Sequence, residues 1–477
     1  MKKKILIALL ALTMALTACG REEKPSESNE SSTEAASEAS EASEASEAND
    51  ESEEESGEMS DETSEEINRT WPVVSGTFMQ PWAFTSYTTD NWKTHFENLK
   101  EVGIDIFIVQ WIADTPEGKI KSIYYPSSLT DGKKTSDFSE APDMLPRILE
   151  AAEESGIKVF VGLNLSDEWW TYGCSRDSWN QTQSELGIDM ASEIYGNYKN
   201  QYPNALYGWY FAWEMFNGMS GYEKKAGEFL NMYLDPLTEL DPSMPLLLSP
   251  FVRSGGSSAE KAGEEWKKVF AEANFREGDI FCCQDAVGAG HITIDQLDGY
   301  FAALKSAVDT EEGLLFWANS ENFTTDYKSA NISRFIRQME IARPYVSGYV
   351  TFAYSHYYAK DYGNKGGYNH AYKHYYDTGE TEIELKKPEL SYTEEDGKIK
   401  LDVVCDNNKA GIQKVVISVS DRSDSIKEIP LNQLNEESFS YRQTITPKNG
   451  ESAVTVTVTV YDYYGSTSSE TLNINFS

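Results

Sequence analysis

Histidine, cysteine and basic residues are all scarce in this chain of 477 residues, and each shortage removes a class of function. There are five histidines and five cysteines, with no CxxC pair and no histidine at metal-ligand spacing, so no zinc motif is present and no metal site is expected. Cys282 and Cys283 are neighbours in an apparent strand, point to opposite faces and read as small buried hydrophobes. Lysine and arginine number 41 against 78 acidic residues, and no basic patch offers to neutralise phosphates, which argues against a nucleic-acid partner. Neither a glycine-rich phosphate loop nor a D-x-D-x-D-G calcium loop occurs, so no cofactor is implied. The longest apolar run, near the N-terminus, is about 14 residues, too short to span a bilayer.

That run has a meaning of its own. MKKK followed by ILIALLALTMALTA and closing on LTAC resembles a bacterial lipoprotein signal peptide (residues 1–19). The resemblance implies a lipidated Cys19, attachment to a membrane and an extracytoplasmic position at the cell surface. Between Gly20 and Asn68 stand 19 acidic residues against Arg21 and Lys24, in Ser/Glu/Ala-rich sequence such as ASEASEASEASEA. Such a segment, residues 20–70, cannot bury enough apolar surface to order itself and is expected to be a self-repelling tether.

From Trp71 short apolar runs alternate with helical patterns, the signature of βα units around a parallel sheet. Eight runs stand out: GTFMQPW, IDIFIVQW, IKVFVGLNL, YGWYFAWE, PLLLSPF, DIFCCQD, LLFWANSE and GYVTFAYSHYY, starting 28 to 53 residues apart. Residues 71–380 therefore fit one (β/α)8 barrel, with longer insertions after the second and third strands. An open doubly wound sheet is the rival, but it calls for the missing phosphate loop. Asp90 is expected to cap a helix burying Trp92, Phe96 and Leu99 and ending at Gly103; a second helix buries Leu145, Ile148 and Ala152 and stops at Gly156. After Lys386 the period changes to two. KIKLDVVCD, IQKVVISVSD, SAVTVTVTVYD and TLNINF predict a small immunoglobulin- or fibronectin-like β-sandwich over residues 386–477, read as a spacer ahead of a carbohydrate-binding module.

Barrel enzymes carry their chemistry at the C-terminal ends of the strands. Glu214 ends the fourth run and Glu321 the seventh; Gln80, Gln110 and Gln284 end the first, second and sixth, with Asp285 beside Gln284. Asn164 lies near the end of the third, Asn319 precedes Glu321, and the eighth offers Tyr354 and His356. Around them stand Trp82, Trp111, Trp213 and Trp317. Two carboxyls, several amides and many aromatic faces are what a sugar site requires. One carboxyl protonates the leaving oxygen while the other attacks the anomeric carbon or activates water. Amides bond hydroxyls in both senses, and aromatic rings cover the apolar faces of pyranoses. Burial among tryptophans is expected to keep Glu214 protonated, while Glu321 is expected to stay ionised with help from Asn319 or a tyrosine hydroxyl. Asp285 stands as a substitute for either.

Carboxylates ending strands four and seven resemble the large retaining glycoside-hydrolase clan on (β/α)8 barrels. The resemblance implies Glu214 as general acid/base and Glu321 as nucleophile. The motifs GTFMQPW, IDIFIVQW, YGWYFAWE and WANSENF are similar to an uncharacterised bacterial barrel family provisionally assigned to the glycoside hydrolases, over roughly residues 74–360. Where the clan has an asparagine before the strand-four glutamate, to bind the sugar 2-hydroxyl, this chain has Trp213, which leaves Gln110, Gln284 or Asn164 for that task. The reading is thus a lipid-anchored glycosidase acting on a glycan, its oligomeric state open. The rival is a non-catalytic glycan-binding surface lipoprotein using the same aromatic cleft.

Overall fold

The computed structural model describes residues 69–476, apart from 407, 421–426, 431–436 and 449. The stretch expected to be a signal peptide ending at Cys19 and the acidic segment up to Asn68 lie outside the described residues. Eight parallel strands close into a barrel: β1 (Gly76–Met79), β2 (Ile106–Val109), β3 (Lys158–Gly162), β4 (Leu206–Phe211), β5 (Leu246–Leu248), β6 (Ile280–Gln284), β7 (Leu315–Glu321) and β8 (Gly348–Phe352). Each strand neighbours the next in sequence, and β8 pairs with β1. One principal helix follows each strand: α1 (Thr89–Lys100), α2 (Met144–Ser155), α3 (Asp177–Tyr198), α4 (Glu223–Leu240), α5 (Ala259–Phe270), α6 (Leu297–Val308), α7 (Ile332–Ala342) and α8 (Gly366–Thr378).

The strands read as continuous apolar runs because both their faces are covered. Inward side chains fill the barrel: Phe78 of β1 meets Tyr210 of β4 edge-on at 5.1 Å and Phe352 of β8 at 5.9 Å. Outward ones meet helices, as where Trp92 of α1 packs on Phe107 of β2 at 5.6 Å and Trp266 of α5 on Phe281 of β6 at 4.8 Å. Cys282 and Cys283 are both buried. The inward faces of α1 and α2 are those expected, and Gly156 caps α2 with φ 68°. The cap of α1 is not Asp90. Thr88 takes that place, its hydroxyl accepting the Asn91 N–H while the Asn91 side chain accepts the Thr88 N–H; a hydroxyl and an amide satisfy two orphan N–H groups reciprocally, and Asp90 sits in the first turn.

The insertions after β2 and β3 join each other. Ala113–Asp114, Ile120–Ile123, Lys134–Glu140 and Asn164–Leu165 form a separate four-stranded sheet, in which Ala113–Asp114 runs parallel to Asn164–Leu165. The C-terminal region is a sandwich of two antiparallel sheets: β9 (Glu389–Glu395), β10 (Lys398–Cys405) and β13 (Phe439–Ile445) in one, and β12 (Lys427–Pro430), β11 (Ile412–Val419), β14 (Ala453–Asp462) and β15 (Thr467–Asn475) in the other. Its core is the alternating set Ile399, Leu401, Val403, Val415, Ile417, Val456, Val458 and Val460. β9, β12 and β13 are strands that period-two counting did not single out; β9 is mostly exposed, with little contrast between its faces.

Candidate active site

At the C-terminal mouth the chain continues from β4 through Trp213 to Glu214, and alternation decides their roles. Trp213 faces outward and is buried; its indole N–H donates to the Tyr233 hydroxyl at 2.8 Å, and its ring lies against Trp169, Trp179 and Phe229. It belongs to helix packing and is no substrate platform. Glu214, one residue on, turns to the mouth. Its carboxylate Oε1 accepts from Gln284 Nε2 at 3.4 Å, and its carbonyl accepts the Trp169 indole N–H at 2.9 Å. The Gln284 amide is held in turn by the Ser249 carbonyl at 2.9 Å. Burial pushes the Glu214 carboxyl up to about 7, against a small opposing pull from the Gln284 hydrogen bond.

Glu321, the last residue of β7, is buried. Its Oε2 accepts the Ala289 N–H at 2.7 Å. That bond requires the loop after β6 to pass hard against the carboxylate, and Gly288 permits it: a Cβ there would stand 2.9 Å from Glu321 Oε2 and 2.5 Å from the Phe323 carbonyl. The expectation that Glu321 stays ionised is corrected: desolvation and then the neighbouring Asp285 charge raise its pKa, the Ala289 N–H and Arg334 act against them, and the charge of Glu214 adds to the rise. The expected donor, Asn319, is not the one found. It lies one inward position deeper, buried, with Nδ2 bonded to Ser249 Oγ at 3.1 Å.

Asp285 stands behind this pair. Its carboxylate accepts from the Gln338 side-chain amide, from the Val287 N–H at 3.2 Å and from the Glu321 N–H at 3.3 Å. It is a buried anchor for the main chain of Glu321, not a substrate contact. Its pKa is raised by burial, with those donors and Arg334 opposing. With three donors against the one that Glu214 and Glu321 each accept, Asp285 is the carboxyl best equipped to remain ionised.

Three further expectations are corrected. Asn164 is buried, and its amide donates to Thr115 Oγ1, the Gln183 carbonyl and Gln183 Oε1, while its oxygen accepts the Tyr233 hydroxyl at 3.3 Å. β3 leaves the barrel there to pair with Ala113–Asp114, which carries Asn164 into a helix-facing network. Trp317 pairs with Gly348, the first residue of β8, whereas Glu321 pairs with Phe352, the last. It therefore lies toward the opposite end of the barrel. Tyr354 is fully buried, its hydroxyl donating to Asn369 of α8 at 2.9 Å. Gln110 and Trp111 are both buried after β2, and the Gln110 Oε1 has no hydrogen-bond partner among the described residues.

The walls are aromatic. On one side Trp82, 39% exposed, lies 6.3 Å from the ring of His356. His356 Nε2 accepts the Gln80 N–H at 3.0 Å, and burial, with the nearby His95, holds its pKa down at about 3. The ring is neutral, with its proton on Nδ1, and is no base at physiological pH. Near Glu321, Tyr327, Phe323 and Tyr357 form a stack with centroids 6.4 and 5.4 Å apart. The Tyr357 pKa is raised, first by burial and then by Glu321, which places this phenol within the carboxylate's field. On the other side Phe216, Phe251 and His291 adjoin at 5.1 and 5.2 Å, and Trp170 stands 6.4 Å from Phe251. Phe251 bridges Phe216 and Gln284 in the sheet, so it sits level with Gln284. Phe216, Phe251 and Phe323 escaped the sequence reading because they lie just past the strands, among many equally apolar residues; Tyr357 had a signal in the YSHYY run.

A closed parallel barrel with a buried carboxyl cluster at its C-terminal mouth and aromatic walls defines the class: a (β/α)8 barrel with an enzyme-like site. Residues 74–364 match the family described as "Domain of unknown function (DUF4434)", and the chain belongs to that family. None of the curated proteins matches it. Among solved structures it is similar to a Bacteroides thetaiotaomicron protein provisionally assigned as an α-L-fucosidase, with 21% identity, a TM-score of 0.55, and 64% of this chain and 96% of that one covered. More distant are the α-L-arabinofuranosidase of Thermotoga maritima, with 11% identity, TM-score 0.41 and coverage of 85% and 94%, and the endo-1,4-β-mannanase of Rhizomucor miehei, with 13%, 0.38, 58% and 85%. The first of these likenesses is one of fold.

Proposed function

We propose that this protein is a glycoside hydrolase that uses Glu214 and Glu321 as its carboxyl pair, held at the cell surface by a lipid on Cys19. The observation that carries the reading is the pair itself: two carboxyls at the ends of β4 and β7 open to the same end of one closed barrel, each raised by burial, with the Glu214 charge the smallest of the influences on Glu321. Glu214, protonated up to about pH 7, is suited to deliver a proton to the leaving oxygen. Glu321 is the nucleophile in a retaining reaction. It attacks as the carboxylate, its proton first released to solvent; burial and Asp285 disfavour that anion, and the penalty is relieved when positive charge develops on the anomeric carbon. Stabilisation concentrated in the transition state is what raises kcat. Gln284, bonded to Glu214, takes the place of the clan's asparagine. The fold neighbour's provisional assignment as an α-L-fucosidase is in keeping with a glycan substrate.

The test is a hydrolysis screen of the soluble form from Asn68 onward against a broad glycan panel. Glu214→Gln and Glu321→Gln are each expected to lower kcat by about a thousandfold or more while binding persists. Product NMR should show retained anomeric configuration. If both variants cleave as well as the parent chain, the pair is not catalytic; if glycans bind and none is cleaved, the site is a binding cleft.

A further inference from the structure

The sandwich touches the barrel at a place that bears on Glu321. The turn between β14 and β15 lies on the N-terminal end of α7: the Ile332 N–H donates to the Tyr463 carbonyl at 3.0 Å, and the Ser333 hydroxyl donates to the Tyr464 carbonyl. First-turn N–H groups have no partner inside their helix, so a carbonyl supplied from outside fixes that end. Asp462 shapes the turn by accepting the N–H groups of Gly465 and Ser466 at 2.8 and 2.7 Å. Beside it the Tyr463 ring meets Tyr368 edge-on at 4.8 Å, Tyr368 stacks on Tyr358 at 5.4 Å, and the Tyr358 hydroxyl donates to the Ala330 carbonyl at 2.8 Å, just ahead of α7.

From that anchored end α7 reaches the site. Arg334, two residues on from Ile332, donates to the Glu321 carbonyl at 3.0 Å and to the Phe323 carbonyl. Gln338, one turn further, donates to the Asp285 carboxylate and to the Glu321 carbonyl at 3.1 Å. We propose that the β-sandwich is a positioning element of the carboxyl site: its β14–β15 turn fixes the start of α7, and α7, through Arg334 and Gln338, fixes Glu321 and Asp285. Side chains of a reacting pair hold their geometry only if their supports are held. The inference rests on the glycosidase reading for its kinetic readout alone.

Gly465 offers the test. Its φ is +98°, and a Cβ there would stand 2.9 Å from Asn331 Cγ and 3.1 Å from Asn331 Cβ, so Gly465→Ala must displace either the turn or Asn331, the residue at the N-cap of α7. Gly450 is the control: with φ +81° and nothing within 4 Å, Gly450→Ala imposes similar backbone strain without touching the barrel. Both are made in the full chain. For Gly465→Ala the expected results are kcat lower by about tenfold with KM within about twofold, and amide exchange at Ala289 and at Glu321–Phe323 faster by about tenfold, with the control unchanged. Should Ile332 exchange faster while Ala289 protection and kcat stay put, the sandwich is a passenger and the proposal falls. If the parent chain cleaves no glycan, the enzyme reading fails by itself and the exchange experiment still decides this one. Should Gly465→Ala not fold, Ser333→Ala replaces it, with Ser333→Thr expected to restore both readouts.

Discussion

Glu214, Asp285 and Glu321 bring three carboxyls into one water-poor volume, and the cost of charging them is written into stability. The Glu214 carboxyl, normally near 4.5, is held at about 7 in the fold, so the folded state binds a proton that the unfolded chain has released between those values. Stability from this group is therefore complete below pH 4.5 and is lost as pH rises through 7, a change on the order of 3 kcal/mol. Glu214→Gln removes the titration: its melting temperature is expected to match the parent's near pH 4 and to exceed it at pH 8.5, measured by thermal melts across that range. Asn164 gives the opposite kind of outcome. Because its amide joins Thr115, Gln183 and Tyr233 behind the barrel wall, Asn164→Ala should cost about 2–3 kcal/mol in a denaturant titration and leave KM unchanged. Residue identity was legible in the sequence for Glu214 and Glu321 as strand-end carboxyls. Residue direction was not: Trp213 and Glu214 differ by one step of a two-residue period, and Asn164 faces away because its strand departs to another sheet, an event that no local pattern records.

At the scale of elements, the strands and helices were legible because coverage on both sheet faces leaves long apolar runs, and helix faces repeat at 3.6. The connecting segments were not, since their conformations answer to tertiary contacts. The loop after β6 is the clearest case. It folds over Glu321 so that the Ala289 N–H reaches the carboxylate, and only a glycine at 288 leaves room. Gly288→Ala is expected to displace the Glu321 carboxylate and lower kcat by about a hundredfold, with smaller change in melting temperature; kinetics beside a thermal melt check both. The short helix Trp169–Tyr172 after β3 does parallel work on the other glutamate, since its Trp169 indole holds the Glu214 carbonyl. Trp169→Phe keeps one aromatic ring among Trp179, Trp213 and Phe229, and loses that bond with the rest of the indole. It should cost about 1 kcal/mol of stability and a larger fraction of activity, separable by the same pair of measurements.

At the scale of the molecule, barrel and sandwich meet through buried tyrosines. Tyr464 is 2% exposed, and its hydroxyl donates to the Glu380 carbonyl at 3.1 Å, in the segment that leads from α8 toward β9. Tyr463 is 6% exposed, and a Cβ on Gly367 of α8 would fall within about 2.0 Å of its ring, so helix and turn are in close contact. The period-two pattern foretold a sandwich but gave no sign of this docking, because the turn residues DYYGS resemble any exposed hairpin tip. A spacer hung on a linker would melt by itself; a module whose turn caps a barrel helix and buries two aromatic rings should melt with the barrel. Calorimetry of the chain from Asn68 is expected to show one transition whose van't Hoff and calorimetric enthalpies agree. Tyr464→Ala removes a buried ring and its hydroxyl bond at a cost of about 3–5 kcal/mol, which falls on the interface and not on either core. The single peak should then part into two, with the sandwich unfolding at the lower temperature. Two peaks in the parent chain would show that the contact is too weak to couple the modules, and would leave α7 to hold Glu321 unaided.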